Sequence, residues 1–206
     1  ISQNIGDTTQ TSLIMKVNPR HILIGFLLVL LAVPATVQAN RSDEERSLIT
    51  YLSAHEFQPS RKILDRISAD PNRLLIRVAG YTKLRPTLRV RAIASIALYP
   101  SQQTQRYLLA LFHERSLKKS NTGLLIRRQA LRSAGRAFGV EVVDEIKALR
   151  TDKDPNIRDA VAHALADTRL KALIPYLQAW LPNEDTYLVR GSIEQAIERL
   201  SRQKER

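Results

Sequence analysis

Asp154-Pro155-Asn156-Ile157-Arg158-Asp159-Ala160-Val161-Ala162-His163-Ala164-Leu165 decides the fold of this chain. Ile157, Val161, Ala164 and Leu165 recur at spacings of four, seven and eight, which puts them on one stripe of a helix with 3.6 residues per turn. Asp154 offers an acceptor to the unpaired N–H groups of the first turn, and Pro155 in the first helical position loses nothing by lacking an N–H. Ala at the inner positions lets a neighbouring helix come close. Working outward, the same order of an apolar residue, Arg, and then apolar or small residues recurs elsewhere. The copies are Val90-Arg91 with Ala94, Ala97 and Leu98; Ile126-Arg127 with Ala130, Ser133 and Ala134; and Val189-Arg190 with Ile193, Ala196 and Ile197. Each copy is expected to be an inner helix.

A second amphipathic segment precedes the inner helices. It is clearest in Leu170, Leu173, Ile174, Leu177 and Leu181, and recurs in Tyr107, Leu108, Leu111 and Phe112 and in Val142, Val143, Ile146 and Leu149. These predict outer helices, with a bend or late start where Pro175 falls. The connections carry stop and start chemistry: Leu84-Arg85-Pro86, Ser120-Asn121-Thr122-Gly123, Asp152 to Asn156, and Leu181 to Asp185. Copies return about every 31 to 36 residues, a period that belongs to helical hairpins which bury their apolar faces only by stacking.

The Asp154–Leu165 stretch, and with it Leu88-Arg89-Val90-Arg91-Ala92-Ile93-Ala94-Ser95-Ile96-Ala97-Leu98, resembles the inner-helix signature of HEAT repeats over roughly residues 70 to 200. The resemblance implies an all-α fold: a short right-handed α-solenoid of about four HEAT-like helical hairpins with an N-terminal helical cap. The resemblance is specific for architecture and says little about activity, because the family is defined by packing rather than by a site. Such repeats commonly pair an acid in the loop before the inner helix with the motif arginine, in the same unit or the next. Asp154 and the Glu184-Asp185 pair fit, whereas the second unit offers Asn121 and the first Lys83 and Arg85, so an irregular ladder would leave Arg91 or Arg127 free for another use.

Residues 40–69 are expected to form the helical cap, with Leu48, Ile49 and Leu52 in one amphipathic stretch and Ile63, Leu64 and Ile67 in the next. The repeat array is expected over 70–202, ending in a charged tail at 203–206. Asp43-Glu44-Glu45 reads as first-turn acid favouring a helix dipole. Ahead of the cap, Met15 to Ala39 has the order of an export signal: Lys16 and Arg20, an apolar run from Ile22 to Val33, and small residues ending at Ala39. The run is about a dozen residues, short of the ~20 needed to span a bilayer. A leader cleaved near Ala39 and a periplasmic or secreted mature chain without a stable membrane span are therefore expected, and residues 1–14 are left outside the fold.

The chain has 206 residues, 32 Lys and Arg against 20 Asp and Glu, a formal charge of +12 and no Cys, so packing alone must stabilise it. No nucleophile elbow, Gly-rich phosphate loop or His pair at ligand spacing occurs. His113-Glu114 is followed by Arg115-Ser116-Leu117 and so lacks the second His of a zinc-protease motif. No enzyme activity, cofactor or metal is expected. Basic residues remain as candidates: Arg128, Arg132 and Arg136 lie four apart on one helix beside Arg127, and with Arg89, Arg91 and Arg158 they would line the concave side of the array. The bland reading is a solvated face with internal ion pairs; the functional one is a surface for a protein partner or for an anionic envelope component. If the stripe serves a partner, replacing Arg128, Arg132 and Arg136 by Gln is expected to leave melting nearly unchanged, and a large drop would assign them to structure. Nucleic acid is disfavoured by export and by the lack of interleaved aromatics. Trp180 is expected in the seam between the last two units.

Overall fold

Pro, Ser and Asp punctuate this chain where its helices begin. In the computed structural model, residues 35–203 are described, with side chains from Asp43 onward. The segment 1–14, most of the expected leader at 15–39 and the tail residues 204–206 lie outside the described residues.

Two helices form the N-terminal cap: α1 (Ala35–Leu52) and α2 (Arg61–Ile67). The hairpins that follow are α3 (Pro71–Gly80) with α4 (Pro86–Ile96), α5 (Gln102–His113) with α6 (Asn121–Phe138), α7 (Val143–Lys147) with α8 (Pro155–Asp167), and α9 (Ile174–Trp180) with α10 (Tyr187–Ser201). There is no strand among the described residues. α4, α6, α8 and α10 pack side by side in one layer, and each outer helix packs on the inner helix that follows it. The result is an all-α HEAT-like solenoid.

Local chemistry explains the helix starts. Asp70, Ser101, Ser120 and Asp154 each accept a hydrogen bond from a first-turn N–H, and Pro opens α3, α4 and α8. Pro175 acts as expected: α9 begins late at Ile174, after a 3-10 turn at Lys171–Leu173. α7 is cut to a short piece by 3-10 turns at Gly139–Val142 and Ala148–Thr151. Trp180 is buried beneath the last connection.

Several expectations need correction. Ile126, Ile157 and Val189 are fully buried, but Val90 is only half-buried, and Leu88, Ala92, Ile93 and Ile96 fill the core instead. The first inner helix therefore carries the motif as Leu88-Arg89, two residues earlier than Val90-Arg91. Pro86 sets this register, standing two residues before Leu88 as Pro155 stands before Ile157. Asp43-Glu44-Glu45 is not first-turn acid, because α1 starts at Ala35. Glu45 instead pairs with Arg77 of α3, and Glu44 accepts from the Ser68 hydroxyl. Ile63 of the cap is exposed. Gly123 lies inside α6, not in a connection, and a Cβ there would strike the Leu117 backbone.

The corrected register also shows how the stack ends. Four and eight residues after the motif arginine stand Ile93 and Ala97 in α4, Leu131 and Gly135 in α6, and Ala162 and Ala166 in α8, all buried. In α10 the same positions are Glu194 and Glu198, both exposed. Charges at these two places give the last helix a polar outer side.

Candidate partner-binding face

The arginine one residue into each motif is a structural rung. Arg89 donates its Nε–H to the Ala79 carbonyl at 2.8 Å, and Arg127 donates its Nε–H to the Phe112 carbonyl at 3.0 Å. In both cases the carbonyl belongs to the last turn of the outer helix, where backbone acceptors have no helical partner. Arg127 and Arg158 also reach forward to the next unit: Arg127 Nη2 lies 3.0 Å from Asp152, and Arg158 clasps both oxygens of Glu184 at 3.0 and 2.7 Å. Asp152 and Glu184 hold the same place, two residues before a helix cap. Each also accepts a backbone N–H, from Asp154 and Thr186 respectively.

These acids are strongly held. The Arg158 hydrogen bond, over the opposition of burial and with help from the Thr186 N–H, brings the Glu184 carboxyl down to about 2. Burial works against the charge of Asp152, yet the Asp154 N–H and Arg127 outweigh it and lower its pKa. A cleft of about 360 Å³ lies at this end, lined by Arg150, Arg158, Trp180, Glu184 and Asp185, but Arg158 in it is already engaged by Glu184 and Asp185. A ladder thus exists in its next-unit form, but its acid in the third unit is Asp152 and not the expected Asp154, which caps α8. Arg127 is not free: its side chain is 2% exposed. Arg91 is not free either, because its Nη1 donates to the carbonyls of Leu52 and Ala54 at 2.7 and 2.8 Å while its guanidinium lies over the Phe57 ring, fastening the cap to α4.

The inner-helix face lies one, five and nine residues after each rung. There α4 presents Val90 and Ala94, with Leu98 in the turn that follows it, all half-buried; α6 presents Arg128, Arg132 and Arg136; α8 presents Asp159, His163 and Asp167; and α10 presents Gly191, Gln195 and Arg199. Arg128 Nη2 donates to Asp159 Oδ2 at 2.8 Å, and Asp159 Oδ1 also takes the Ser192 hydroxyl at 2.5 Å and lies 3.5 Å from His163 Nε2. Burial raises the cost of this charge, but the hydrogen bonds from His163 and Ser192 and the Arg128 charge prevail, and the Asp159 carboxyl sits at about 2. Arg132 and Arg136 both turn to Asp167, which Arg199 meets from the other side.

Of the seven arginines singled out from sequence, Arg128, Arg132 and Arg136 share this face, whereas Arg89, Arg91, Arg127 and Arg158 bind backbone and ladder acids. The sequence reading missed Asp159, Asp167 and Arg199. Aligning the motif copies would have placed Asp159 and Asp167 opposite Arg128 and Arg136. Among the described residues no group of His, Asp or Glu is placed to hold a metal ion, and no helix is long and apolar enough to cross a membrane.

Stacked two-helix units, a layer of inner helices and rung arginines at the fourth residue of α4, α8 and α10 define a helical-repeat scaffold. Residues 116–198 match the family model of HEAT repeats, in agreement with the HEAT-like solenoid of the structure. No curated protein and no solved structure matches the chain.

Proposed function

We propose that the chain is a non-catalytic scaffold that binds a protein partner on its inner-helix face, and that it works outside the cytoplasm, as the signal-like order from Met15 to Ala39 indicates. One observation carries the binding reading. Arg128, Arg132 and Arg136 are about two-fifths exposed, and each is held in place from below by a buried carboxylate, next to the half-buried apolar row Val90, Ala94 and Leu98. Arginines fixed by packing and ion pairing lose little side-chain freedom on binding, so the face is preorganised for a ligand with acidic and apolar groups.

The test is capture of partners by the mature chain and by variants changed on opposite layers. Ala94→Glu and Leu98→Glu should lose the captured protein, whereas Arg106→Glu, on the exposed side of α5, should keep it. Retention by the first pair and loss by Arg106→Glu would move the working surface to the outer layer. N-terminal sequencing of protein recovered from cells should begin near Asn40; a retained Met15–Ala39 segment would remove the export reading.

A further inference from the structure

Asp167 closes α8 with 5% of its side chain exposed. Arg132 Nε donates to its Oδ2 at 3.0 Å, Arg136 Nη2 lies 3.7 Å from the same oxygen, and Arg199 Nη2 donates to Oδ1 at 2.7 Å. One carboxylate is neutralised by one guanidinium, so three of them leave two formal positive charges at a single point. Among the described residues no second acid relieves them: Asp159, the other carboxylate on this face, is taken by Arg128, Ser192 and His163. The layering is also particular. The acid is buried, while the side chains of Arg132, Arg136 and Arg199 that meet it are 39%, 43% and 45% exposed. Like charges drawn together in this way repel one another unless an anion joins them.

We propose that Arg132, Arg136 and Arg199 form a binding site for a phosphate group, free or carried as a monoester, with Asp167 as the anchor that spaces the guanidiniums. A phosphate monoester carries a charge of about −1.5 to −2 at neutral pH, which matches the surplus, and its oxygens suit the planar forks of several arginines at once. The site draws on α6, α8 and α10, so it exists only where the last three units are stacked. This deepens the scaffold reading by giving the chemistry of what is held, and it rests on that reading for the choice of face.

The experiment is calorimetric titration of the full chain with inorganic phosphate and, separately, with O-phosphoserine, at constant ionic strength. Binding of either is expected, weakened at least tenfold by Arg136→Gln, whose contact with Asp167 is the longest of the three, and unchanged by Arg202→Gln, which removes only a pair with Glu198 on the same helix. Should Arg136→Gln fold poorly, Arg199→Gln makes the same test from α10. Tighter binding of O-phosphoserine identifies a monoester-bearing ligand, and equal binding of both identifies phosphate itself; either supports the site. No binding of either anion, or equal affinity in the wild type and Arg136→Gln, overturns it. Partner capture that survives this failure leaves the scaffold standing, because that experiment reads Ala94 and Leu98 instead.

Discussion

Arg127 on α6 meets Asp152, the acid two residues before the cap of α8 in the next unit, at 3.0 Å, and the Arg127 side chain is almost wholly enclosed. Arg127→Leu would strand both Asp152 and the Phe112 carbonyl. A loss of about 3–5 kcal/mol is expected, as for removal of one partner of a buried pair, read by urea denaturation. Asp152→Asn keeps an acceptor for the Asp154 N–H and should cost less, about 1–3 kcal/mol. Equal, small losses from both would mean the rung contributes nothing to stacking.

The α6 arginines each meet a buried carboxylate, so they are expected to contribute to stability, against the expectation that a stripe serving a partner leaves melting unchanged. Replacing Arg128, Arg132 and Arg136 together by Gln leaves Asp159 without its arginine and Asp167 with Arg199 alone. After allowance for the exposure of the arginines, about 1–3 kcal/mol should be lost. A melting temperature that does not move would return these residues to a purely external role.

Stability should fall in acid. Asp159 and Glu184 titrate at about 2 in the folded chain, and Asp152 is also lowered, against ordinary values of 3.8 to 4.5. The unfolded chain therefore takes up protons first as pH drops. The stabilisation is complete above about pH 5 and is lost as pH falls through 4 toward 2. Thermal melts from pH 7 to 2.5 should show this decline, and Asp159→Asn should melt lower at neutral pH with a shallower decline. A flat profile in the wild type would contradict the assignment.

Two glycines on inner helices should respond oppositely to Ala. At Gly135 a Cβ would run into the carbonyl of Ala164 on α8, so Gly135→Ala should destabilise by about 2–3 kcal/mol through overpacking. At Gly191, within α10, a Cβ meets nothing, and Gly191→Ala should stabilise by up to about 1 kcal/mol. Denaturant midpoints for the pair decide it; the same sign at both positions would refute the close approach of α6 to α8.

Arg169, just past α8, has φ 61°, the left-handed region that side chains with a Cβ adopt at a cost. Arg169→Gly should raise stability by about 1 kcal/mol in calorimetry, and a loss would show that the Arg169 side chain makes a compensating contact.

Much of the inner layer was legible because helical periodicity is local. Ile126, Ile157 and Val189 announce their burial through neighbours four and seven residues away, and Asp154 with Pro155 marks a helix start without reference to the rest of the chain. The first copy misled because α4 carries apolar residues at both Leu88 and Val90, each followed by Arg. The spacing from Pro86 favours Leu88-Arg89, and the bond from Arg89 to the Ala79 carbonyl shows that Arg89 is the rung. The candidate face was half legible. The spacing of Arg128, Arg132 and Arg136 was visible, but their partners lie 31 to 35 residues away on another helix.

By itself the sequence determined that this chain is helical, repeats in hairpins and stacks them, because amphipathic period, caps and repeat length are properties of short stretches. Tertiary structure alone decided which arginines are rungs and which are exposed, how Asp167 gathers guanidiniums from two helices, and that Gly123 and Gly135 are points of close approach. Those are distances between residues remote in sequence. They are set when side chains from separate helices compete for the same space and the same counter-charge, a contest that no single helix contains.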